Sequence, residues 1–328
     1  MRFLARRLGF LLIALWAAMT VNFLIPRLMP GNPAEAMLGR VHGHITPASL
    51  KALEVAFGIN NHRSLLTSYV EYLNNCFHLS FGISLGPNFP EPVSKIIGQA
   101  LPWSLGLVGV STILGFLIGT ALGALAAWRR GGALDSVLPP VFIVISAFPY
   151  FFLGLIFIWL FGLTLGWFPI LGGYTETVTP TLTLGFIWNI IDHSIMPAFT
   201  ILITAIGGWI LTMRNNMITV VAEDYVKMGV AKGLKPRRIL WQYAGRNALL
   251  PNLTGFAMSL GFVISGAILV EYVFNYPGLG FLLLQAVENE DYPTMQALFL
   301  LITVAVLVAI FFADIATALL DPRTRNTS

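Results

Sequence analysis

The feature that most constrains the fold of this chain is a series of apolar runs, each long enough to cross a membrane. The first uncharged run extends from Leu8 to Pro26, and the second extends from Leu101 to Trp128. An α-helix needs about 20 consecutive apolar residues to span a bilayer. Because 56% of the 328 residues are hydrophobic and only 10% are charged, the composition excludes an ordinary soluble domain. We therefore predict an all-α multi-pass membrane protein with six transmembrane helices, at residues 8–26, 101–128, 137–163, 194–213, 247–270 and 292–313.

The first run also has some features of a secretory signal peptide, because Ala34-Glu35-Ala36 would supply a small-x-small cleavage site. The apolar core of a signal peptide is usually about 7–15 residues long. The run from Leu8 to Pro26 approaches spanning length, so we interpret it as an uncleaved first transmembrane helix.

The remaining sequence divides the chain into three parts. Residues 1–28 are the first transmembrane helix, residues 29–100 form a small extracytoplasmic helical subdomain between helices 1 and 2, and residues 101–328 form the membrane core. Apolar spacing predicts subdomain helices at 48–57 and 65–76. Residues 186–191 are expected to lie on the membrane surface, before the fourth span.

The distribution of positive charge predicts the orientation. Of the 19 Lys and Arg residues, 14 fall in the segments that six spans with a cytoplasmic start would place inside. Cytoplasmic loops carry such an excess of Lys and Arg, so both termini are predicted to be cytoplasmic and the chain to lie in the inner membrane. The basic residues sit beside apolar spans, so we expect membrane lipid rather than nucleic acid as a partner. The single cysteine, Cys76, excludes an internal disulfide.

One charged loop, residues 214–250, separates the fourth and fifth spans. Its centre, from Asp224 to Ala231, is predicted to be a short helix, because Gly233 and then Pro236 end and redirect it. Helical turns are expected to resume at Arg237 and to lead into a span that begins at Pro251. A short helix held by a Gly/Pro turn has a suitable shape for the groove of another protein.

Short sequence segments in and around this loop resemble those of ABC-importer permeases of the oligopeptide/dipeptide (peptide/nickel/oligosaccharide) family. The matching segments are Glu223-Asp224-Tyr225-Val226, Ala231-Lys232-Gly233-Leu234 and Arg246-Asn247-Ala248-Leu249-Leu250-Pro251. Glu271 to Gly280 and Leu28 to Pro33 are also similar to the family, and specifically to its first-permease type with an N-terminal extracytoplasmic subdomain. One departure is that Lys227, Met228 and Gly229 stand where the broader importer motif has Glu-Ala-Ala. Gly229 should loosen the short helix slightly.

The resemblance implies a type I ABC-importer permease fold and a subunit that does not itself hydrolyse ATP. No Gly-x-x-x-x-Gly-Lys-Ser/Thr phosphate loop occurs in the sequence. ATP and Mg would be bound by two partner ATP-binding subunits, and this chain would bind no cofactor. The other implied partners are a second homologous permease and an extracytoplasmic substrate-binding protein. The alternative for the loop is a solvated basic segment attracted to anionic lipid. The residues expected to couple to the ATPase are Glu223, Asp224, Tyr225, Ala231, Lys232, Gly233, Leu234, Arg246, Asn247 and Pro251.

Short peptides are the substrate that the resemblance favours, with oligosaccharides as the alternative and nickel complexes also carried by relatives. A secondary transporter or channel would need charges deep in its spans and an inverted repeat, and neither is evident. A membrane-embedded enzyme would need a nucleophile–base or metal-ligand constellation, which does not occur at the span ends. Polar residues of the inner spans are candidates for the translocation path: Thr200, Thr204, Asn252, Thr254, Ser259 and Ser265.

Four further features have simple interpretations. The outer loops carry 10 acidic residues, including Glu271, Glu288, Glu290 and Asp291, which predict either a docking face for the binding protein or ordinary solvated loops. Asp314 is expected to be an interfacial carboxylate rather than a proton relay. We interpret the four histidines of the subdomain as loop residues and predict no metal site; they are His42, His44, His62 and His78. Small residues at every fourth position of the second span predict a helix-packing surface; they are Ser111, Gly115, Gly119, Gly123 and Ala127.

Overall fold

The computed structural model describes residues 2–28, 64–181 and 183–320. Within these ranges the chain is helical, and its only β-structure is an isolated bridge between Ile83 and Pro92. The predicted helix at 48–57 lies outside the described residues. The helices up to the middle of the chain are α1 (Arg2–Leu28), α2 (Leu65–Phe77), α3 (Val93–Ser104), α4 (Val110–Trp128), α5 (Ala133–Ala147) and α6 (Tyr150–Phe157). Those that follow are α7 (Leu184–Val221), α8 (Asp224–Ala231), α9 (Pro236–Arg238), α10 (Gly245–Phe262), α11 (Ile268–Val273), α12 (Leu279–Glu288) and α13 (Tyr292–Leu320).

Short π-helical or 3₁₀ segments join several of these helices without a break. Leu105–Gly109 joins α3 to α4, Ile158–Thr164 extends α6, Ile239–Ala244 joins α9 to α10, and Val263–Ser265 extends α10. In the described residues, five continuous segments are long and apolar enough to cross a membrane, and the bent pair α5–α6 would make a sixth. The five are Arg6–Ile25, Val93–Trp128, Leu184–Val221, Pro236–Ser265 and Tyr292–Ile315.

Several helices begin or end away from the predicted span boundaries. The second span begins at Val93, so the predicted subdomain boundary at residue 100 falls inside a helix. Lys95 made this helix look like a loop, yet its other face packs Ile96 and Ile97 against α12 and α13. The third segment is two helices that meet at 92°, where Pro149 follows α5, rather than one kinked helix.

Helix α7 replaces two predicted features. It runs for 38 residues, about 57 Å, and so includes residues 186–191, which were predicted to lie on the membrane surface. It also continues through Arg214 to Val221, so the connecting loop starts eight residues later than predicted.

The helix of the fifth span ends at Ser265 instead of continuing to Val270, because Gly266 adopts a positive φ of 68° that breaks the helix.

The small-residue surface of the second span packs as predicted. Gly119 and Gly123 of α4 lie directly against the backbone of α7 at Ile206 and Ile210. A methyl group added at Gly123 would lie 2.5 Å from the carbonyl oxygen of Ile210, closer than real side chains allow. The two helices therefore approach each other because these positions carry no side chain.

The first and last spans hold the subdomain helix α2 between them. Met19 of α1, Cys76 of α2 and Leu300 of α13 form one buried cluster. The buried amide of Asn22 donates through Nδ2 to the Tyr72 hydroxyl at 3.0 Å and to the backbone oxygen of Gln296 at 2.8 Å.

At the other end of the same helix pair, Asp314 forms an ion pair with Arg7, with 2.7 Å between Oδ2 and Nη1. This contact gives Asp314 a structural partner on the first span. The interfacial position of Asp314 stays a prediction.

Candidate functional site: the loop between the fourth and fifth spans

The short helix α8 occupies the predicted position and ends as predicted at a glycine. Gly233 has φ of +72°, a left-handed conformation that favours glycine. The N–H of Gly233 donates to the Val230 oxygen at 2.9 Å, and the N–H of Leu234 donates to the Gly229 oxygen at 3.2 Å. These two bonds form a Schellman motif, which satisfies the last carbonyls of the helix and turns the chain away. The chain becomes helical again at Pro236.

One face of α8 is buried against the membrane helices. Val226 is only 2% exposed, and it belongs to a cluster formed by α4, α7, α8 and the start of the fifth span. Dispersion and apolar burial across such a cluster hold the four elements in one arrangement. The other buried members are Ala124, Ala127, Met213, Met217, Ile239, Leu240, Ala244 and Ala248.

The remainder of α8 is exposed and partly apolar. Met228 is 57% exposed and Val230 is 60% exposed, and Lys227 pairs with Asp224 at 3.0 Å beside them. A solvated loop would not need two exposed large apolar side chains, whereas a docking helix uses such side chains to fill a partner's groove.

A second contact joins α8 to the following span. Asn247 Nδ2 donates to the Tyr225 hydroxyl at 2.7 Å and to the Tyr243 backbone oxygen at 3.3 Å. Tyr225 and Asn247 are 22 positions apart in the sequence. This hydrogen bond therefore joins the two predicted coupling segments, 223–226 and 246–251. Arg246 lies beside them and is exposed.

The structure brings most of the predicted coupling residues into one region. Glu223, Asp224, Ala231 and Lys232 are exposed on α8 and its ends, and Leu234 is half-buried over Gly229. Pro251 is exposed within α10 rather than at the start of the span, because the helix runs without a break from Pro236.

Comparison with known proteins assigns the chain to a family. Residues 119–326 match the family described as binding-protein-dependent transport system inner membrane component. The chain is 34% identical to the oligopeptide transport system permease protein AppB of Bacillus subtilis, over 92% of each chain. It is 32% identical to the di/tripeptide transport system permease protein DppB of Pseudomonas aeruginosa, over 99% of this chain and 98% of that one. It is 29% identical to the glutathione transport system permease protein GsiC of Escherichia coli, over 99% of each.

The chain belongs to this family. The predicted fold class, an all-α multi-pass membrane protein of the type I ABC-importer permease fold, is thereby confirmed. The family match runs from the middle of α4 to a point beyond α13, and so includes α8 and both helices that clamp it.

The candidate path residues of this permease do not share one surface. Thr200 is fully buried and donates to the Met196 oxygen, whereas Thr204, Ser259 and Ser265 are half-buried and also bond carbonyls of their own helices. Thr254 likewise lies half-buried on α10. For the half-buried residues, a role in the path stays a prediction.

Asn252 joins three helices through hydrogen bonds. It is buried, and its Nδ2 donates to Thr120 Oγ1 while its Oδ1 accepts from Asn216 Nδ2, both at 3.4 Å. These bonds link α4, α7 and α10 inside the permease. The side chain is therefore held among these three helices, and its role in the path stays a prediction.

Sequence reasoning missed a buried carboxylate in the segment after the fifth span. Glu271, expected on an acidic outer face, is 0% exposed. Its Oε1 accepts from Ser104 Oγ at 2.8 Å, and its Oε2 accepts from the N–H groups of Gly280 at 2.7 Å and Phe281 at 3.2 Å. Among the described residues, no cation pairs with it.

Glu271 therefore caps the N-terminus of α12, where the helix dipole also favours a negative charge. Ser104 satisfies the first N–H of that helix, that of Leu279, at 2.7 Å. Burial raises the pKa of the Glu271 carboxyl, and the donors from Ser104, Phe281 and Gly280 oppose that shift. A side chain at Gly278 or Gly280 would collide with the carboxylate. The closely spaced glycines of Pro277-Gly278-Leu279-Gly280 were therefore the sequence signal that another group packs against this turn.

Asp291 likewise caps the N-terminus of α13, the helix of the last span. It is buried, and it accepts from Ser84 Oγ, from the Leu85 N–H at 3.0 Å and from the Thr294 N–H at 3.3 Å. The bonds tie the segment before α3 to the N-terminus of α13. Glu271 and Asp291 are thus removed from the predicted acidic docking face, while Glu288 and Glu290 remain exposed on it.

Of the four subdomain histidines, only His78 lies within the described residues. Its Nδ1 is 2.8 Å from the Asn74 oxygen at the end of α2. No group of three or more potential metal ligands occurs among the residues that the structure describes.

Proposed function

We propose that this permease is the transmembrane subunit of an ATP-driven importer and forms the translocation path for short peptides delivered by a substrate-binding protein. The observation that supports this most directly is α8, a short helix clamped to the fourth and fifth spans on one face and exposed on the other. Its partners would be a second homologous permease and two ATP-binding subunits that hold ATP and Mg. The chain itself would perform no hydrolysis.

The packing around α8 suggests how force would reach the membrane. The buried cluster joins α8 to α7 and to the start of the fifth span, and Asn247 adds a bond to Tyr225. A displacement of α8 by the closing ATPases would move both spans as one body, because the cluster cannot deform continuously. The ATP-binding subunits are cytoplasmic in this proposal, so the loop that contains α8 and both termini of the chain are cytoplasmic as well.

Peptides are the proposed substrate because the relatives described above are permeases for oligopeptides, di- and tripeptides and glutathione. Oligosaccharides are not favoured by these names. Uptake of a radiolabelled tripeptide, competed by unlabelled di- and tripeptides and separately by an oligosaccharide, tests the assignment. Competition by the oligosaccharide alone would reverse it.

Val230→Asp tests the coupling role, since it places a charge at an apolar position of α8 that is exposed in this chain. We expect substrate-stimulated ATP hydrolysis by the assembled transporter to fall at least about tenfold, because a buried unpaired charge costs several kcal/mol. Ser136→Asp is the matched control, because Ser136 is an exposed side chain beside the Arg129–Arg130 loop. Gly233→Pro should act similarly, since proline cannot adopt a φ of +72° and lacks the N–H that bonds Val230.

Normal stimulation in both the Val230 and Gly233 variants, with both proteins present in the membrane, would contradict the coupling role.

A further inference from the structure

A cavity of about 550 Å³ opens between α8 and the start of α10. Its polar half is formed by Arg246, Tyr225, Tyr243 and Asn247, and no Asp or Glu lines it. Arg246 is exposed and forms no ion pair within the described part of the chain. A guanidinium with no carboxylate partner binds phosphate-like anions through charge-assisted hydrogen bonds.

The hydroxyl of Tyr225 is arranged to assist such an anion. Its oxygen already accepts a hydrogen bond from Asn247 Nδ2 at 2.7 Å. A phenolic oxygen that accepts from one side keeps its own proton free to donate to another group. The polar half therefore offers the Arg246 cation and the Tyr225 O–H donor, from two different helices.

The other half of the cavity is apolar and lies deeper along the span. Leu249, Leu250 and Leu253 line it, up to two turns beyond Arg246 and about 10 Å farther along the axis. All three belong to the segment Pro236–Ser265, which is long and apolar enough to cross a membrane. A free phosphate or a nucleotide would leave these leucines facing water, whereas an acyl chain would cover them.

We propose that this cavity binds one anionic phospholipid, with its phosphate on Arg246 and Tyr225 and an acyl chain along the three leucines. Charge complementarity supports this occupant, because seven Lys and Arg residues lie between positions 214 and 246. The bound lipid bridges α8 and the fifth span. Because the proposed function assigns coupling to α8, that coupling then depends on the anionic lipid content of the bilayer.

The test is lipid retention, which requires no ATP hydrolysis. The full chain, with the subunits that remain bound to it, is reconstituted in equal dioleoylphosphatidylglycerol and dioleoylphosphatidylcholine, extracted and measured by native mass spectrometry. We expect phosphatidylglycerol to be retained about tenfold over phosphatidylcholine, and Arg246→Gln to abolish the preference. Arg246→Lys, which keeps the cation, should retain most of it.

Arg129→Gln is the matched control, because it removes the same charge from an exposed arginine that does not line the cavity. An equal loss in the Arg129 and Arg246 variants would show general attraction to a basic surface and would overturn the site. Unchanged retention in Arg246→Gln would overturn it as well. So would a cross-link from Leu250→Cys to an ATP-binding subunit in the assembled transporter, since that outcome means that a protein fills the cavity.

These results separate the lipid site from the coupling role. If Arg246→Gln abolishes stimulated ATP hydrolysis but leaves lipid retention unchanged, the coupling role stands and the lipid site fails. If Arg246→Gln loses the preference for phosphatidylglycerol while Val230→Asp and Gly233→Pro show normal stimulation of ATP hydrolysis, the lipid site stands and the coupling role fails.

Discussion

At the scale of single residues, buried carboxylates hold together the segment that follows the fifth span. Glu271 accepts bonds from α3 and from the first turn of α12, and Asp291 accepts bonds from Ser84, Leu85 and Thr294. A buried donor that loses its acceptor costs about 1–3 kcal/mol. These two acidic residues are thus structural, although the sequence alone predicted for them either a docking face for the binding protein or ordinary solvated loops.

Glu271→Ala should destabilise the protein by several kcal/mol, because it leaves the N–H groups of Gly280 and Phe281 without their acceptor. The effect should also depend on pH. Burial raises the folded-state pKa of Glu271, so its contribution is fully present at low pH and is lost as pH rises through the folded pKa. The difference in thermal unfolding midpoint between wild type and variant should therefore be larger at pH 5 than at pH 8.

Wild type and Glu271→Ala share all their other titrating groups, so the contributions of those groups to the pH dependence of the unfolding midpoint cancel in the difference. A difference that grows as pH rises would contradict the raised pKa.

At the scale of helices, close approach depends on which glycines face a backbone. Gly123 of α4 faces the Ile210 carbonyl of α7, whereas a methyl group at Gly115 would meet Ala205 and Leu202 at 3.5 and 3.8 Å, which is ordinary contact. Gly123→Ala should therefore lower the unfolding midpoint through overpacking, at a cost of about 1–3 kcal/mol. Gly115→Ala should leave it nearly unchanged. Equal effects of the two substitutions on thermal unfolding would mean that α4 and α7 do not pack in this register.

Helix α8 offers an element-scale prediction of opposite sign. A methyl group at Gly229 would lie 3.6–3.9 Å from Leu234 and Tyr243, so the site has room for it. Since alanine favours a helix over glycine by up to about 1 kcal/mol, Gly229→Ala should slow amide hydrogen exchange in α8 by about two- to fivefold. Faster exchange in the variant would show that the buried glycine is needed for packing.

At the scale of the whole molecule, orientation can be tested at the end of α2. Cys76 is buried, and burial raises the pKa of its thiol, so it should react slowly with a membrane-impermeant maleimide. His78 is exposed two residues away. In a Cys76→Ala background, His78→Cys should be labelled rapidly from the extracytoplasmic side. Faster labelling in inside-out vesicles would reverse the proposed topology.

The sequence by itself determined the membrane class, the number of apolar segments to within the bent pair α5–α6, the end of α8 at Gly233 and the packing role of the glycines in α4. These features depend on hydropathy over about 20 residues, on local backbone conformation and on a four-residue repeat, all of which are local properties of a chain.

Only the tertiary structure decided where α3 and α7 begin and end, which face of α8 is free, and that Glu271, Asp291 and Asn252 are buried. The reason is physical: a charged or polar residue marks the edge of a helix or a solvated loop only when no distant group satisfies it. Ser104 satisfies Glu271 from 167 positions away, Ser84 satisfies Asp291 from 207, and Thr120 satisfies Asn252 from 132. Partners so far apart in the chain meet only once the helices have packed.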